Sequence, residues 1–132
     1  MIIELDMTSE VPIYVQLRNK IVMGIGYGEL KRGEGLPTVR QMAEDIGVNT
    51  MTVNKAYNIL KREGYIEIDR RHGAKVNPKI KLDLEYKAKL ENELELLIAE
   101  SGIKGMKKSE FINICSELFD NMSGLNLVWG NE

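Results

Sequence analysis

The sequence predicts an α+β chain in which three helices and a small β-hairpin are followed by a two-helix hairpin. Three observations predict it. Residues 36–64, LPTVRQMAEDIGVNTMTVNKAYNILKREG, read as an amphipathic helix, a tight glycine turn and a second helix with a polar leading edge. Residues 65–77 alternate as a strand, turn through a basic loop and return. After Pro78, apolar residues recur at threes and fours through a charged run, which is the spacing of long helices.

At the start, Ile2, Ile3 and Leu5 suit a short strand or an N-terminal arm. A first helix is expected from about Pro12 to Tyr27, with Tyr14, Leu17, Ile21 and Ile25 along one side and proline acceptable in the first turn. Gly24, Gly26 and Gly28 weaken its end, and Gly33-Glu34-Gly35 links it to Leu36, a candidate third strand beside the hairpin. Pro37 blocks helix before it, and Thr38 caps the helix that follows. Val39, Met42, Ala43 and Ile46 share one face of that helix; Gly47 suits the positive φ that ends it, and Val48 turns back inward.

Asn49 is placed to cap the next helix. Val53, Ala56, Tyr57 and Leu60 make its buried face, while Thr50, Thr52, Asn54 and Lys55 lie outward near its start, and Gly64 stops it. This is the grammar of a helix-turn-helix, whose second helix enters the DNA major groove. Short polar side chains and a lysine at a helix N-terminus suit phosphate and base-edge contacts. Tyr65-Ile66-Glu67-Ile68 then alternates as a half-buried strand, and Lys75-Val76-Asn77 returns beside it. The turn holds Asp69, Arg70, Arg71, His72, Gly73 and Ala74, a basic hairpin tip of the kind that lies along a DNA backbone.

Charge supports this once it is divided along the chain. The net charge is −2, but residues 50–79 hold 7 Lys+Arg against 3 Asp+Glu, whereas residues 80–132 hold 6 against 10. Clustering of positive charge matters more than the total for steering toward phosphate. The length of 132 residues suits one compact domain with a helical appendix. The acidic start, MIIELDMTSE, is not a signal peptide, and no apolar run is long enough to span a membrane. The single cysteine, Cys115, cannot form an intrachain disulfide; together these point to a cytoplasmic protein.

The same residues carry a family resemblance. Pro12-Ile13-Tyr14-Val15-Gln16-Leu17 and Gly28-Glu29-Leu30 are followed by Leu36-Pro37-Thr38-Val39-Arg40 and Gly47-Val48-Asn49. Then come Thr52-Val53-Asn54-Lys55-Ala56-Tyr57 and Leu60-Lys61-Arg62-Glu63-Gly64-Tyr65-Ile66. In that order, over roughly residues 9–77, the chain resembles the GntR family of bacterial winged-helix transcription regulators. The resemblance implies that Arg40 touches DNA phosphates, that Asn49, Thr50, Thr52 and Asn54 read bases, and that Arg70, Arg71, His72 and Gly73 form a wing reaching the minor groove or its phosphates. With Thr38 and Lys55 these make the candidate DNA-binding set. Two positions depart from the family pattern: Thr50 stands where an arginine is usual, and Arg71 replaces the first of two wing glycines. The resemblance also implies that the regulated genes include transporter operons, often beside the regulator's own gene.

In the tail, Leu82, Tyr86, Leu90, Leu94, Leu97 and Ile98 mark a long helix that Ser101-Gly102 is expected to end. A second helix, from near Ser109, carries Phe111, Ile114, Cys115, Leu118, Phe119 and Met122 on one face. A lone helical hairpin cannot bury two apolar faces, so a second copy about a twofold axis is the expected cover, with Leu90, Leu94, Leu97, Ile98, Phe111, Ile114, Cys115, Leu118, Phe119 and Met122 as the dimerisation residues. This arrangement resembles the short-tailed, YtrA-like branch of the family, whose two-helix tail dimerises. A tail that folds back on its own first domain is the competing arrangement. The expected organisation is a winged helix-turn-helix over residues 1–78 and a helical dimerisation tail over residues 79–132.

Catalysis and metal binding find little support. His72 is the only histidine and sits on a charged loop; Cys115 occupies an apolar helical position; Glu91, Glu93 and Glu95 lie on solvated helix sides. Gly24 to Gly28 is not followed by a strand-to-helix phosphate cradle. No enzyme, metal or cofactor is expected, and no effector ligand can be named. The reading is a homodimeric, sequence-specific DNA-binding repressor; the alternative is a winged-helix protein-interaction module, whose mark would be an apolar recognition face.

Overall fold

Residues 13–26 alternate apolar and polar positions at helical spacing, and in the computed structural model, which describes residues 3–125, they form α1, Ile13–Gly26. Pro12 precedes it in extended backbone, and Leu17 and Ile21 on its inner side are fully buried. α2 (Val39–Ile46) and α3 (Thr50–Arg62) follow, and then an antiparallel hairpin of β1 (Ile66–Asp69) and β2 (Gly73–Val76). Ile66 pairs with Val76 and Asp69 with Gly73.

One core joins these elements. Leu17, Ile21 and Ile25 of α1 meet Met42 and Ala43 of α2, Val53, Ala56, Tyr57 and Leu60 of α3, and Ile66, Ala74 and Val76 of the hairpin. Tyr57 is its largest fully buried side chain, and its hydroxyl donates to the Pro37 carbonyl at 2.7 Å, tying α3 to the start of α2. Arg18 of α1 pairs with Glu63 at 2.9 Å, and its guanidinium lies 5.4 Å from the centre of the Tyr65 ring.

The segment before α2 joins the hairpin through backbone bonds, while the Leu36 side chain packs against the shared core. Gly33 N–H donates to Val76 O, Val76 N–H to Glu34 O and Leu36 N–H to Ala74 O, each at 2.8 Å. The expected third strand is thus a single bridge, Gly35 to Lys75, on the free edge of β2. Ile3 packs against the core in extended coil rather than in a strand, and Ile2 lies outside the described residues. The alternation expected along β1 holds only at its base: Ile66 is buried, whereas Ile68, paired with Ala74 nearer the tip, is exposed.

Among the described residues the chain divides into two compact units, Lys81–Met122 and the remainder. A single 3-10 turn at Ser123–Leu125 belongs to the first unit, where the Ser123 hydroxyl donates to the Tyr27 carbonyl at 2.9 Å. The second unit consists of α4 (Leu84–Ile103) and α5 (Lys108–Asn121), and neither helix contains a buried residue. Asp83 caps α4 by accepting from the Tyr86 N–H at 2.7 Å, so Leu82, expected on this helix, lies before its start.

The expected stop at Ser101-Gly102 is corrected as well: α4 continues through both residues. The Ser101 hydroxyl donates to the Leu97 carbonyl within the helix, and Gly102 keeps a right-handed conformation. The stop comes at Gly105, whose φ of 96° lets Met106 N–H reach back to Ser101 O at 3.0 Å and Gly105 N–H to Gly102 O. That pair of bonds is the Schellman arrangement, which needs a left-handed residue just past the helix end.

Candidate nucleic-acid interface

Two caps and one glycine set the leading end of α3. Thr38 Oγ1 accepts from the Gln41 N–H at 3.1 Å and starts α2. Gly47 ends α2 with φ 72°, and Val48 N–H closes on the Ala43 carbonyl. A side chain at Gly47 would meet no neighbour, so conformation rather than space favours glycine there. Asn49 then caps α3, its Oδ1 accepting from Thr52 N–H at 2.8 Å and from the Thr52 hydroxyl at 3.0 Å.

These bonds decide what each polar group still has to offer. Asn49 keeps its amide N–H groups as donors, and Thr52 keeps its oxygen as an acceptor while its proton is engaged. Thr50 and Asn54 are exposed, and no side-chain bond is formed by either among the described residues. With 3.6 residues per turn, the side of α3 opposite Val53, Ala56, Tyr57 and Leu60 runs Met51, Asn54, Lys55, Asn58, Arg62. All five are exposed. The sequence reading included Asn54 and Lys55 in the DNA-binding set, took Met51 only as a hint of an apolar recognition face, and left out Asn58 and Arg62, although the same periodicity carried to the outer face would have found them.

Lys55 is more constrained than its sequence position suggested. Its ammonium lies 4.0 Å from the centre of the Tyr14 ring of α1, a cation–π contact that holds a flexible side chain against the body of the domain. Arg40, in the first turn of α2, is exposed, and its guanidinium has no partner among the described residues.

The hairpin tip is built on Asp69. Its carboxylate accepts from Arg71 N–H at 2.7 Å and from His72 Nδ1 at 3.0 Å. The His72 bond and then the Arg71 backbone bond hold the Asp69 carboxyl below its ordinary range. Gly73 closes the loop at φ 72°. His72 is thereby turned to Asp69, while Arg70 and Arg71 are exposed, with no side-chain partner among the described residues. Further down the hairpin, Lys75 is matched by Glu67 at 3.7 Å.

The tail residues of the sequence reading are spread over two helices of the second unit. Leu90, Leu94, Leu97 and Ile98 lie on α4; Ile114, Leu118 and Phe119 on α5; all seven are exposed. Phe111, Cys115 and Met122 are half-buried. Between the helices, Leu94, Ile98, Phe111, Ile112 and Cys115 line an apolar cleft of about 530 Å³. Among the described residues no group of acidic, histidine or cysteine side chains is arranged to hold a metal, and no helix is long and apolar enough to cross a membrane.

Comparison with known proteins agrees with this architecture. Residues 13–76 match the sequence pattern of the bacterial regulatory proteins, gntR family. The HTH-type transcriptional repressor YtrA of Bacillus subtilis is 32% identical over 124 residues, covering 92% of this chain and 95% of that protein. Among solved structures, a transcriptional antiterminator from Listeria monocytogenes superposes with a TM-score of 0.82 at 27% identity, covering 90% of this chain and 93% of that one. YtrA from Sulfolobus acidocaldarius, a GntR-family transcription factor, gives 0.62 at 37% identity, over 76% of this chain and 97% of its own. The AraR DNA-binding domain in complex with operator ORX1 gives 0.50 at 25% identity, over 55% of this chain and 90% of its own. The helix-turn-helix, the hairpin beside it and the two-helix tail, with relatives matched over nearly their whole length, establish that the chain belongs to the GntR family of bacterial transcription regulators, in its YtrA-like branch.

Proposed function

We propose that this chain is a sequence-specific DNA-binding repressor that holds an inverted-repeat operator as a homodimer. The observation that carries the reading is the set of exposed, unmatched groups on one domain: the polar outer side of α3 and the guanidinium groups of Arg40, Arg70 and Arg71. Exposed cations without carboxylate partners are available to phosphate, and amide and hydroxyl groups on a helix leading edge suit base edges. The AraR domain, solved with its operator, supports the same use of this fold.

In this reading residues 1–78 read DNA. Thr38, Arg40, Lys55, Arg70, Arg71, His72 and Gly73 anchor the backbone, and Asn49, Thr50, Thr52 and Asn54 meet bases. Residues 79–132, through α4 and α5, pair two copies. The exposed apolar residues of α4 and α5 favour that assignment, since a monomer that left them in water would carry an unusually large apolar surface. A protein-interaction role for α3 is less favoured, because Met51 alone is apolar on its outer side. The regulated genes include a transporter operon in this reading, and repression follows the character of the YtrA relative.

Selection of bound duplexes from a random pool, followed by titration of the enriched sequence, tests the reading. The expected result is an inverted repeat with half-sites about one helical turn, or a multiple of it, apart. A chain that enriches no sequence and binds all duplexes alike overturns it.

A further inference from the structure

The outer side of α3 is polar with one exception. Met51 is 80% exposed, more than any other large apolar side chain among the described residues of the first unit. It occupies the first turn, directly opposite the buried stripe of Val53, Ala56, Tyr57 and Leu60, so it stands at the middle of the outward side and at its leading tip. The residues one turn along, Asn54 and Lys55, are polar, so Met51 is no part of an apolar patch along the helix that a protein partner would cover.

In the DNA major groove the C5 methyl of thymine is the apolar group presented on a base edge. We propose that Met51 lies against a thymine methyl and makes that base pair part of the recognised sequence. The proposal rests on the DNA-reading role of α3 and names a specificity determinant within it. A methionine suits the task because its unbranched, polarizable thioether adapts to the groove floor. Asn54, three residues along, offers the donor and acceptor that match adenine. The leading end of α3, where Thr50 stands and no arginine is present, therefore favours A·T pairs beneath it.

The test uses the intact chain and the sequence it selects from a random duplex pool. Each thymine in that duplex is replaced in turn by deoxyuridine, which removes only the methyl. At one position per half-site the affinity is expected to fall about fourfold, the value of one buried methyl group. Met51→Ala should bind the thymine and uridine duplexes alike, and Met51→Leu should restore discrimination. Because Met51 packs against no core residue, both variants are expected to melt with the parent. If the parent chain binds every uridine duplex as it binds the original, or if Met51→Ala keeps the full discrimination, the Met51 assignment is overturned while DNA reading stands. A pool that enriches no sequence overturns both.

Discussion

Arg40, Arg70 and Arg71 are left unanswered by any carboxylate among the described residues, which sets them apart from Arg18 and Lys75, whose charges are matched within the fold. Removing a matched cation disturbs the protein; removing an unmatched one should disturb only a partner. Arg40→Ala and the double change Arg70→Ala, Arg71→Ala are therefore expected to melt normally and to weaken all DNA sequences alike. Each lost phosphate contact should flatten the log–log salt dependence by about 0.9. An unchanged slope in a salt titration would remove these residues from the interface. The two asparagines at the start of α3 should separate by the same logic. Asn49→Ala loses the cap bond to Thr52 and should cost about 1 kcal/mol of folding stability. Asn54→Ala should leave stability alone and relax base preference at one pair, by roughly 1–3 kcal/mol. Equal melting of the Asn49 variant and the parent chain would contradict the first expectation, and unaltered base preference in the Asn54 variant the second.

Among the elements, α2 and α3 are held at a working angle by their buried faces and by one polar bond, Tyr57 to the Pro37 carbonyl. Burial pushes the Tyr57 phenol up to about 12 from its ordinary 10. Because the folded value is raised, the stability this residue lends is complete below pH 10 and is lost as pH climbs from 10 through 12. Tyr57→Phe leaves the Pro37 carbonyl without its donor and is expected to cost on the order of 1 kcal/mol at neutral pH. The stability gap between parent and variant should then narrow between pH 10 and 12. Urea unfolding of both chains across that range measures it; a gap that stays constant would show that ionisation of Tyr57 is not linked to folding. The hairpin is held in two ways: Ile66, Ala74 and Val76 are buried in the same core, and backbone bonds to Gly33, Glu34 and Leu36 fix the free edge of β2.

For the molecule as a whole, the contrast between the two units is the main fact. The first encloses a core; the second, α4 and α5, contains no fully buried residue and exposes leucine and isoleucine side chains on both helices. Pairing of two copies would cover them, and it would also raise the effective concentration of the second DNA-reading domain over its half-site. The intact chain is expected to sediment as a dimer at micromolar concentration. Leu94→Glu combined with Ile114→Glu should place charge in the apolar seam and give a monomer. That monomer should keep its winged helix and bind an inverted repeat no better than a single half-site. A variant that remains dimeric, or a monomer that binds the full repeat as tightly as the parent chain, would rule out pairing through these helices as the basis of affinity.

Much of this protein was determined by local sequence. Caps at Thr38 and Asn49, the left-handed turn at Gly47 and the helical spacing of Val53, Ala56, Tyr57 and Leu60 are short-range features, and each was legible because its cause lies within a few residues. Where the sequence left alternatives open, the folded chain chose between them, sometimes locally and sometimes through distant contacts. Ser101-Gly102 has the composition of a helix end, yet α4 passes through it and stops at Gly105, because serine can bond back to its own helix and the stop needs a positive φ. The third strand is reduced to one bridge, Gly35 to Lys75, flanked by the backbone bonds of Gly33, Glu34 and Leu36 to β2. Lys55 was placed on the outward side of α3, but only packing could bring Tyr14 under its ammonium, since α1 and α3 are far apart in the chain. Which polar groups remain available to DNA is likewise a tertiary matter. Sequence names the donors and acceptors, and the folded neighbours determine which of them are already engaged.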